Sequence, residues 1–288
     1  MISHRSGPIR GSARRAHEFD LVHFHLDYLH LPLATRYPLA TVTTLHGRPD
    51  IPDLAPLFRE FRDVNLVSIS DAQRKPLSWS NWRGTVYHGL PADLYRFQEK
   101  PGSYLAFLGR VSPEKRVDRA IDIAKRAGME LKIAAKVDAV DRDYFEAKIR
   151  SLLNDPRIEF IGEIGEAEKN EFLGNALALL FPIDWPEPFG LVMIEAMACG
   201  TPTIAYRKGS VPEVLEDKET GFIVDNLQDA AKAVDRIPLL SRRTCREVFE
   251  RRFSAERMVR DYLAIYKKVL SEQMASAARR IEDLQQAA

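Results

Sequence analysis

The chain has 288 residues and a formal net charge of +1, with 45% hydrophobic and 29% charged residues. This near-neutral balance gives no overall attraction to nucleic acid or to an anionic membrane, and no apolar run approaches the roughly 20 residues of a membrane-spanning helix. The two cysteines, Cys199 and Cys245, do not make a disulfide framework, so we expect a cytoplasmic protein.

Short apolar or β-branched runs alternate with helix-forming segments in the first hundred residues. The basic opening, MISHRSGPIRGSARR, has no apolar stretch and is not predicted to be a secretory signal. Ser70 is predicted to cap a helix, with Asp71 near its start. The predicted strands are DLVHFHL (residues 20–26), TVTTL (41–45) and VNLVSIS (64–70), with a helix at PDLAPLFREF (52–61).

The same alternation restarts after a polar segment at residues 98–102, and from Ser254 onward the chain is predicted to form one long helix. Repeated βα units with nearly continuous apolar strands predict parallel sheets flanked by helices. We therefore predict a first α/β domain over 1–98, a second over 99–253, and a helix over 254–288 that packs back toward the first domain. The predicted strands of the second domain are SYLAFLG, MELKIAAKV, RIEFIG and LALLFPI, and its predicted helices include SPEKRVDRAIDIAKRAG, DRDYFEAKIRSLL and EAEKNEFLGNA.

Ligands of open parallel sheets bind beyond the carboxyl ends of the strands, so the loop FLGRVSPEKR is a candidate site. Gly109 allows close approach of the backbone, and Ser112 is predicted to cap the next helix. Arg110 and Lys115 then lie near the positive end of a helix, where a diphosphate would balance their charge. The alternative is a solvated basic turn in which Glu114 pairs locally.

A second candidate loop runs into a predicted helix, GLVMIEAMACG, that ends at Gly200. Glu195 lies on this helix near the faces of Leu191 and Val192, which should be buried, and a carboxylate beside that apolar stripe is costly unless something binds it. Glu187 precedes the helix between two prolines, and the amide of Gly190 could face a phosphate. The alternative is an exposed Glu195 on the helix flank and an ordinary loop acid at Glu187.

These residues carry a resemblance to a known family. Glu187 and Glu195, with seven residues between them, look like the E-x7-E motif of retaining GT-B glycosyltransferases. The segments EPFGLVMIEAMACGTPTIA and GSVPEVLEDKETGFIV are similar to the signature of family 4, and FLGRVSPEKRVDRAI resembles its phosphate-binding loop. The resemblance implies an α/β GT-B fold in which two Rossmann-like domains face a cleft.

The function implied by the resemblance is that of a hexosyltransferase of the EC 2.4 type. It would transfer a sugar with retention, without a metal or other cofactor, from a nucleoside diphosphate sugar to an acceptor hydroxyl. The resemblance points to a UDP- or GDP-linked donor. Phosphorolysis of a disaccharide is an alternative reaction within the same architecture.

Residue roles are carried over from the same resemblance. Arg110 and Lys115 would hold the diphosphate, Glu195 the ribose hydroxyls and Glu187 the donor sugar. His46, in TLHG, would lie near donor sugar and acceptor, although it could instead cap a turn. The remaining donor-site positions are Gly109, the backbone of Phe189, Gly190 and Leu191 beside sugar and phosphate, and Glu163 and Ile164 at the edge of the base.

Two patterns of potential ligand residues could indicate a metal site. His23, His25 and Asp27 share one face of a strand, a spacing that could bind a metal but that is more simply a strand end pointing into a cleft. DRD, residues 141–143, matches the D-x-D pattern of metal-dependent glycosyltransferases, yet it opens a predicted helix, where acids favour the dipole. We therefore predict no essential metal.

The sequence departs from the family pattern in three places. KIAAKVD carries Lys136 where a glycine-rich strand is usual, and VYHG carries His88 where IPNG is frequent. The family's amino-terminal domain also begins several elements before FDLVHFH, so we expect an incomplete first domain.

An incomplete first domain leaves a second hypothesis open: a donor-binding fragment, or a subunit that needs a partner for turnover. The expected partners are a nucleotide sugar and an unknown acceptor (a sugar, a lipid or a small molecule). Peripheral contact with a membrane and homo-oligomerisation through the incomplete domain are further expectations, and nucleic acid is not expected.

Overall fold

The computed structural model describes residues 18–34 and 39–286; the basic opening segment considered above lies outside the described residues. The chain divides into two compact units: Met1–Tyr87 together with Met258–Ala288 form the first, and His88–Arg257 form the second. The boundary predicted at 98–102 thus lies inside the second unit. The reason is local bonding, because the amide of Gln98 donates to the carbonyl of Cys199 at 3.0 Å.

The first unit contains a four-stranded parallel sheet in the order β1-β2-β3-β4. Among the described residues β1 pairs only with β2, which makes it an edge strand. The strands are β1 Leu21–Phe24, β2 Ala40–Thr44, β3 Leu66–Ser68 and β4 Trp82–Thr85, and the helices between them are α1 Leu31–Ala34, α2 Leu54–Glu60, α3 Asp71–Arg74 and a 3₁₀ turn at Lys75–Leu77. The first three strands confirm the sequence prediction, whereas β4 was not predicted.

Both faces of this first sheet are covered. Phe58 of α2 packs with Leu45 and Leu66 on one face. On the other face Val42 and Val67 pack against residues of the C-terminal helix, which spans Ala255–Gln286 as predicted. A parallel sheet buried on two faces requires nearly continuous apolar strands, and this is the pattern that the sequence shows.

The second unit contains a six-stranded parallel sheet in the order β10-β9-β8-β5-β6-β7. The strands are β5 Tyr104–Arg110, β6 Leu131–Lys136, β7 Ile158–Gly162, β8 Ala176–Phe181, β9 Thr203–Tyr206 and β10 Gly221–Val224. This is the doubly wound Rossmann order, in which the chain first moves outward through β5, β6 and β7 and then returns to the other side of β5. The order reverses between β5 and β8, so the loops after these two strands flank the crevice where ligands of such sheets bind.

Helices cover the second sheet. They are α4 Val117–Ala127, α5 Arg142–Tyr144, α6 Glu166–Gly174, α7 Leu191–Cys199, α8 Val211–Val214, α9 Leu227–Arg236 and α10 Arg242–Arg252. The C-terminal helix, which packs on the first sheet, is α11. The segment predicted as one helix at DRDYFEAKIRSLL is irregular: α5 continues into a π-helix at Phe145–Ile149 and a 3₁₀-helix at Arg150–Asn154. None of the described helices is both long and apolar enough to cross a bilayer.

The helix predicted from Ser112 begins later, at Val117. Ser112 does not cap it: its hydroxyl is buried without a hydrogen-bond partner in the described part of the chain, and its carbonyl accepts from the amides of Lys115 and Arg116 in a turn. Arg116 takes the N-cap position with φ 56°, a left-handed conformation that is uncommon outside glycine. Lys115 therefore lies in the loop before the helix rather than in its first turn.

Arg242 is a buried cation that organises the second unit. Its guanidinium donates to the carbonyls of Gln98 (2.6 Å), Gly174 (2.7 Å) and Ala176 (2.9 Å), and to the hydroxyl of Thr201 (2.8 Å). These carbonyls belong to the segment before β5, the end of α6 and the start of β8. One side chain thus satisfies the backbone of several segments at once.

Candidate functional site

The loops after β5 and β8 meet at the reversal of strand order. The backbone amide of Asp184 donates to the carbonyl of Glu114 at 2.8 Å, which ties the two loops together. The ammonium of Lys115 on the first loop then forms an ion pair with the Oε2 atom of Glu187 on the second. Two residues predicted for the same site, 72 positions apart in sequence, are therefore in direct contact.

The Lys115–Glu187 pair is largely buried, with side-chain exposures of 18% and 10%. The indole of Trp185 donates to the same Oε2 atom at 2.9 Å, and the ammonium lies 5.1 Å from the centre of that indole ring. An aromatic face attracts a nearby cation, so Trp185 contacts both members of the pair favourably. The burial of Glu187 excludes an ordinary solvent-exposed loop acid.

A second loop supports the backbone of Glu187. Gly209 has φ 53°, and a Cβ atom there would lie 2.3 Å from the carbonyl oxygen of Glu187, so no larger side chain fits without displacing that loop. The amide of Ser210 donates to the Glu187 carbonyl at 3.0 Å, and its hydroxyl donates to the carbonyl of Phe189 at 2.7 Å. Neither Gly209 nor Ser210 was predicted as a site residue, although GSVPEV belongs to the segment that resembles the family signature.

Gly190 connects the Glu187 loop to α7. Its φ is 83°, and an added Cβ would lie 2.6 Å from the methyl of Met193, so glycine is required on both counts. On one side Phe189 is buried, and on the other Leu191 is 44% exposed rather than buried as the sequence suggested. The chain thus turns into α7 at Gly190, and the first residue of that helix, Leu191, is exposed.

Glu195 is only 8% exposed, which excludes an exposed position on the helix flank. Its Oε1 atom forms an ion pair with Lys169 at 3.0 Å, and Lys169 also contacts Glu166 at 2.9 Å. The group that binds this buried carboxylate is thus a lysine on α6. Lys169 was not predicted, because a lysine among the charges of EAEKNEF is typical of a solvated helix face.

Arg110 and Gly109 end strand β5, and Arg110 is not brought to Glu187. The guanidinium of Arg110 lies 3.5 Å from Asp138 and 3.9 Å from Asp141, and its side chain is 47% exposed. DRD opens α5 as predicted, with Asp141 at the N-cap position and Asp143 in the first turn, although Asp141 makes no side-chain capping bond. Its contact is instead the ion pair with Arg110.

Glu163 and Ile164 follow β7 at the edge of the same sheet. Lys136, at the end of β6, contacts Asp138 at 3.2 Å. The hydrogen bond and charge of Asp138, together with the charge of Glu163, raise the pKa of Lys136 above its ordinary value. Glu163 is exposed and Ile164 half-buried, so the structure leaves both accessible.

Asp184 gathers three cations beside the Glu187 loop. It accepts from Arg119 at 2.7 Å and from Arg116 at 3.1 Å, and lies 3.4 Å from Lys208. Burial raises the pKa of Asp184, but the hydrogen bond and charge of Arg119 and the contact with Lys208 outweigh it, so the pKa lies below its ordinary value. This arrangement holds the left-handed turn at Arg116 in place.

The predicted histidines lie in the first unit. The Nε2 atom of His46 is 2.8 Å from the Nδ1 atom of His25, so one neutral ring donates to the other. Burial lowers the pKa of His46, an effect that Asp27 partly opposes, and burial also lowers the pKa of His25. Burial, aided by the charges of His25 and His46, lowers the pKa of His23 to about 3.

The proposed metal spacing of His23, His25 and Asp27 does not form a single face. Strand β1 ends at Phe24, and Asp27 adopts φ 49°. Its carboxylate accepts from the amides of His46 (2.9 Å) and Gly47 (3.4 Å). Within the described ranges, no three His, Cys, Asp or Glu residues group in a way that could hold a metal ion.

Ser70 caps a helix as predicted: its hydroxyl accepts from the amide of Gln73 at 3.0 Å, and Asp71 lies in the first turn. His88, noted as a departure from the family pattern, packs edge-on against Phe189 with ring centres 4.9 Å apart. Both observations describe local packing and assign neither residue a ligand.

Solved glycosyltransferase structures share this fold. A sucrose-phosphate synthase from Thermosynechococcus elongatus aligns with a TM-score of 0.77 and 19% identity, over 92% of this chain and 77% of that one. Anabaena HepE in complex with UDP aligns with a TM-score of 0.75 and 18% identity, over 93% and 82%. The likeness confirms the predicted α/β GT-B class of fold.

A family model described as "Glycosyl transferases group 1" matches residues 96–251, more than half of the chain. The chain therefore belongs to the glycosyl transferases group 1 family, which confirms the resemblance.

Two curated proteins are similar in sequence to parts of this chain. The chain is 30% identical over 218 residues to a D-inositol 3-phosphate glycosyltransferase from Mycobacterium leprae, covering 68% of this chain and 47% of that protein. It is 31% identical over 133 residues to an N-acetyl-alpha-D-glucosaminyl L-malate synthase from Bacillus anthracis, covering 43% and 34%. The matches span about a third to a half of the length of these relatives.

Proposed function

We propose that this chain transfers a sugar from a nucleoside diphosphate sugar to an acceptor hydroxyl, as a retaining glycosyltransferase. The observation that carries the proposal is the buried Lys115–Glu187 pair at the reversal of strand order. It places a cation suited to a diphosphate beside a carboxylate suited to sugar hydroxyls, in the crevice where such sheets bind ligands. Retention follows from the E-x7-E resemblance of Glu187 and Glu195.

The chemistry needs positive charge at the leaving group. Cleavage of a sugar–phosphate bond leaves negative charge on the diphosphate, and a cation already in position lowers that barrier by a few kcal/mol. Lys115 supplies such a charge at the crevice, and Arg110 at the end of β5 supplies a second one nearby in sequence. These cations do what a divalent metal ion would otherwise do, which supports the proposal of a metal-independent reaction without a cofactor.

The donor we propose is UDP-linked, with GDP as the alternative base. Anabaena HepE, which shares the fold, was solved with UDP and with UDP-glucose. In this chain Glu195 would accept from the ribose hydroxyls, while Glu163 and Ile164 would edge the base. The backbone from Phe189 to Leu191 would then lie beside sugar and phosphate.

The acceptor is proposed to bind near His46. His46, hydrogen-bonded to His25, is the residue that we propose lies near the transferred sugar. A sugar, a lipid or a small molecule as acceptor, a cytoplasmic location, peripheral membrane contact and homo-oligomerisation remain predictions. Sugar transfer would require residues of both units, among them His46, whereas donor binding would require only residues of the second unit.

A donor screen tests the proposal. UDP, GDP and ADP are titrated into the chain by calorimetry, and the corresponding sugar donors are assayed for sugar release, with NMR to determine the anomer released. We expect binding of at least one diphosphate, loss of this binding in Lys115→Met, and a product with the donor's anomeric configuration. Lys125→Met, the same substitution at the far end of α4, is the matched control and should bind like the wild type.

The outcomes separate the hypotheses. Binding without turnover would favour a donor-binding subunit, and release of a sugar phosphate from an added disaccharide, only in the presence of inorganic phosphate, would favour phosphorolysis. An inverted product would contradict retention. No binding of any of the three diphosphates would overturn the proposal as a whole.

A further inference from the structure

Four side chains of the second unit form one hydrogen-bonded row that ends at Glu195. The hydroxyl of Tyr95 donates to the Oε1 atom of Glu166. The Oε2 atom of Glu166 lies 2.9 Å from the ammonium of Lys169, which lies 3.0 Å from the Oε1 atom of Glu195. The row joins the segment before β5 to helices α6 and α7.

Lys169 is the cation that makes a buried Glu195 tolerable. A carboxylate on an apolar helix loses its hydration and costs several kcal/mol unless a partner replaces that hydration. Burial lowers the pKa of Lys169, but its hydrogen bond with Glu166 and the charge of Glu195 outweigh this effect, so its pKa lies above the ordinary value. The ammonium therefore stays charged at neutral pH.

The row also fixes which carboxylate oxygen is engaged. Lys169 contacts Oε1 of Glu195, whereas Oε2 has no hydrogen-bond partner among the described residues. Lys169 cannot swing away easily, because Glu166 holds it from the other side and is itself held by Tyr95. Oε2 is thus presented in one orientation to a ligand.

We propose that Lys169 is a positioning residue that sets the preference of this site for a ribonucleotide over its 2′-deoxy form. The inference rests on the proposed function, in which Glu195 accepts from the ribose hydroxyls. Lys169 acts through Glu195: it holds the carboxylate turned so that its open oxygen meets the hydroxyl. A hydroxyl bonded to a charged, fixed acceptor is worth more than one bonded to a mobile acceptor.

The test compares two ligands in matched variants. For whichever of UDP, GDP and ADP binds the wild type most tightly, calorimetry gives the ratio of its Kd to that of its 2′-deoxy form. Lys169→Met keeps the carbon stem and removes the charge, and should reduce the discrimination on the order of tenfold, the value of one charge-assisted hydrogen bond. Lys169→Arg keeps a cation and should retain most of the preference for the ribonucleotide. Lys125→Met should show the same ratio of Kd values as the wild type.

Glu166→Gln provides a second variant at a half-exposed side chain, and it decides the question if Lys169→Met does not fold. It loosens the row but leaves Lys169 beside Glu195, so a smaller loss of discrimination is expected. If the wild type prefers the ribonucleotide and the folded Lys169→Met and Glu166→Gln variants prefer it equally, the positioning role of Lys169 is overturned. The proposed function is not affected by that result. Failure of the wild type to bind any of the three diphosphates would overturn the proposed function together with this inference.

Discussion

The ammonium of Lys115 and the carboxylate of Glu187 are bonded to each other across the reversal of strand order in the second sheet. Each therefore already satisfies the charge of the other before any ligand arrives. A diphosphate that approaches Lys115 must compete with Glu187, and a sugar that approaches Glu187 must compete with Lys115. Donor binding therefore replaces the ion pair between Lys115 and Glu187 with two contacts to the ligand, one to the diphosphate and one to the sugar.

We expect Glu187→Gln to tighten the binding of a bare nucleoside diphosphate. The variant removes a negative charge and frees Lys115, while its amide oxygen can still accept from Trp185. The gain should be several-fold, corresponding to about 1 kcal/mol for a partly screened charge interaction. Calorimetry on wild type and variant measures the difference.

The double variant Lys115→Met with Glu187→Gln is the control for this prediction. If the effect of Glu187 operates through Lys115, replacing the glutamate should change affinity little once the lysine is gone. An equal gain in both backgrounds would show that Glu187 repels the ligand directly.

Arg110 should matter less than Lys115. Its guanidinium is about half exposed, and Asp138 and Asp141 compete for it. Arg110→Gln should therefore weaken diphosphate binding by roughly threefold or less, as expected for an exposed ion pair, whereas Lys115→Met should cost on the order of tenfold or more. Equal losses of diphosphate affinity in the two variants, measured by calorimetry, would show that Arg110 leaves Asp138 and Asp141 and contacts the ligand when it binds.

The left-handed turn at Arg116 can be tested with two small residues. Arg116→Ala and Arg116→Gly both remove the ion pairs with Asp118 and Asp184, but only glycine accepts φ 56° without strain. The glycine variant should be the more stable of the two by about 1 kcal/mol. Urea denaturation followed by fluorescence measures the difference, and a more stable alanine variant would exclude backbone strain at this position.

Arg242 should be the most costly arginine to lose from α10. Its removal in Arg242→Met would leave the carbonyls of Gln98, Gly174 and Ala176 without their donor, at about 3 kcal/mol or more. Arg243→Met provides a neighbour in the same helix with an exposed partner, Glu99, and should cost less than about 1 kcal/mol. Similar denaturation midpoints for the two variants would contradict the anchoring role of Arg242.

The histidines of the first unit should make its stability depend on pH. Burial lowers the pKa of His30 to about 4 and of His23 to about 3, against an unfolded value near 6.5. Below pH 6.5 the unfolded chain binds protons that the folded chain does not. Each histidine therefore favours unfolding by about 1.4 kcal/mol per pH unit, until its folded pKa is reached.

Hydrogen exchange of β1 to β3 amides at a series of pH values measures this loss. His30→Gln should flatten the dependence between pH 6.5 and about 4, relative to the wild type. Exchange protection that stays constant across this range would show that these rings are protonated in the folded unit.

The sequence predicts those features of the fold that depend on local pattern. Apolar runs and intervening helices predicted the parallel sheets, and the apolar neighbours of Glu195 predicted that another group binds this carboxylate. Strand β4 was missed because its residues, Trp82–Thr85, include an arginine and a glycine instead of an apolar run. The late start of α4 was missed because Ser112 looks like a cap, whereas contacts with Asp184 hold Arg116 in the turn.

The site residues that were missed are joined over long sequence distances. Lys169 lies 26 positions from Glu195, on a helix of its own, and its neighbours in sequence are mostly charged. Gly209 and Ser210 support the Glu187 loop only because β9 returns next to β8. No local pattern encodes which strands become neighbours, so partners that depend on this order are visible only in the folded chain.

The first unit is built from two separated parts of the chain, and the second lies between them in sequence. Ile265 and Val269 complete the core of the first unit, yet they are synthesised only after the whole of His88–Arg257. On the ribosome the second unit can thus become compact while the first still lacks the helix that covers one face of its sheet. During synthesis, the apolar face formed by Val42 and Val67 therefore stays exposed to solvent. A chaperone that binds nascent chains would bind at this face.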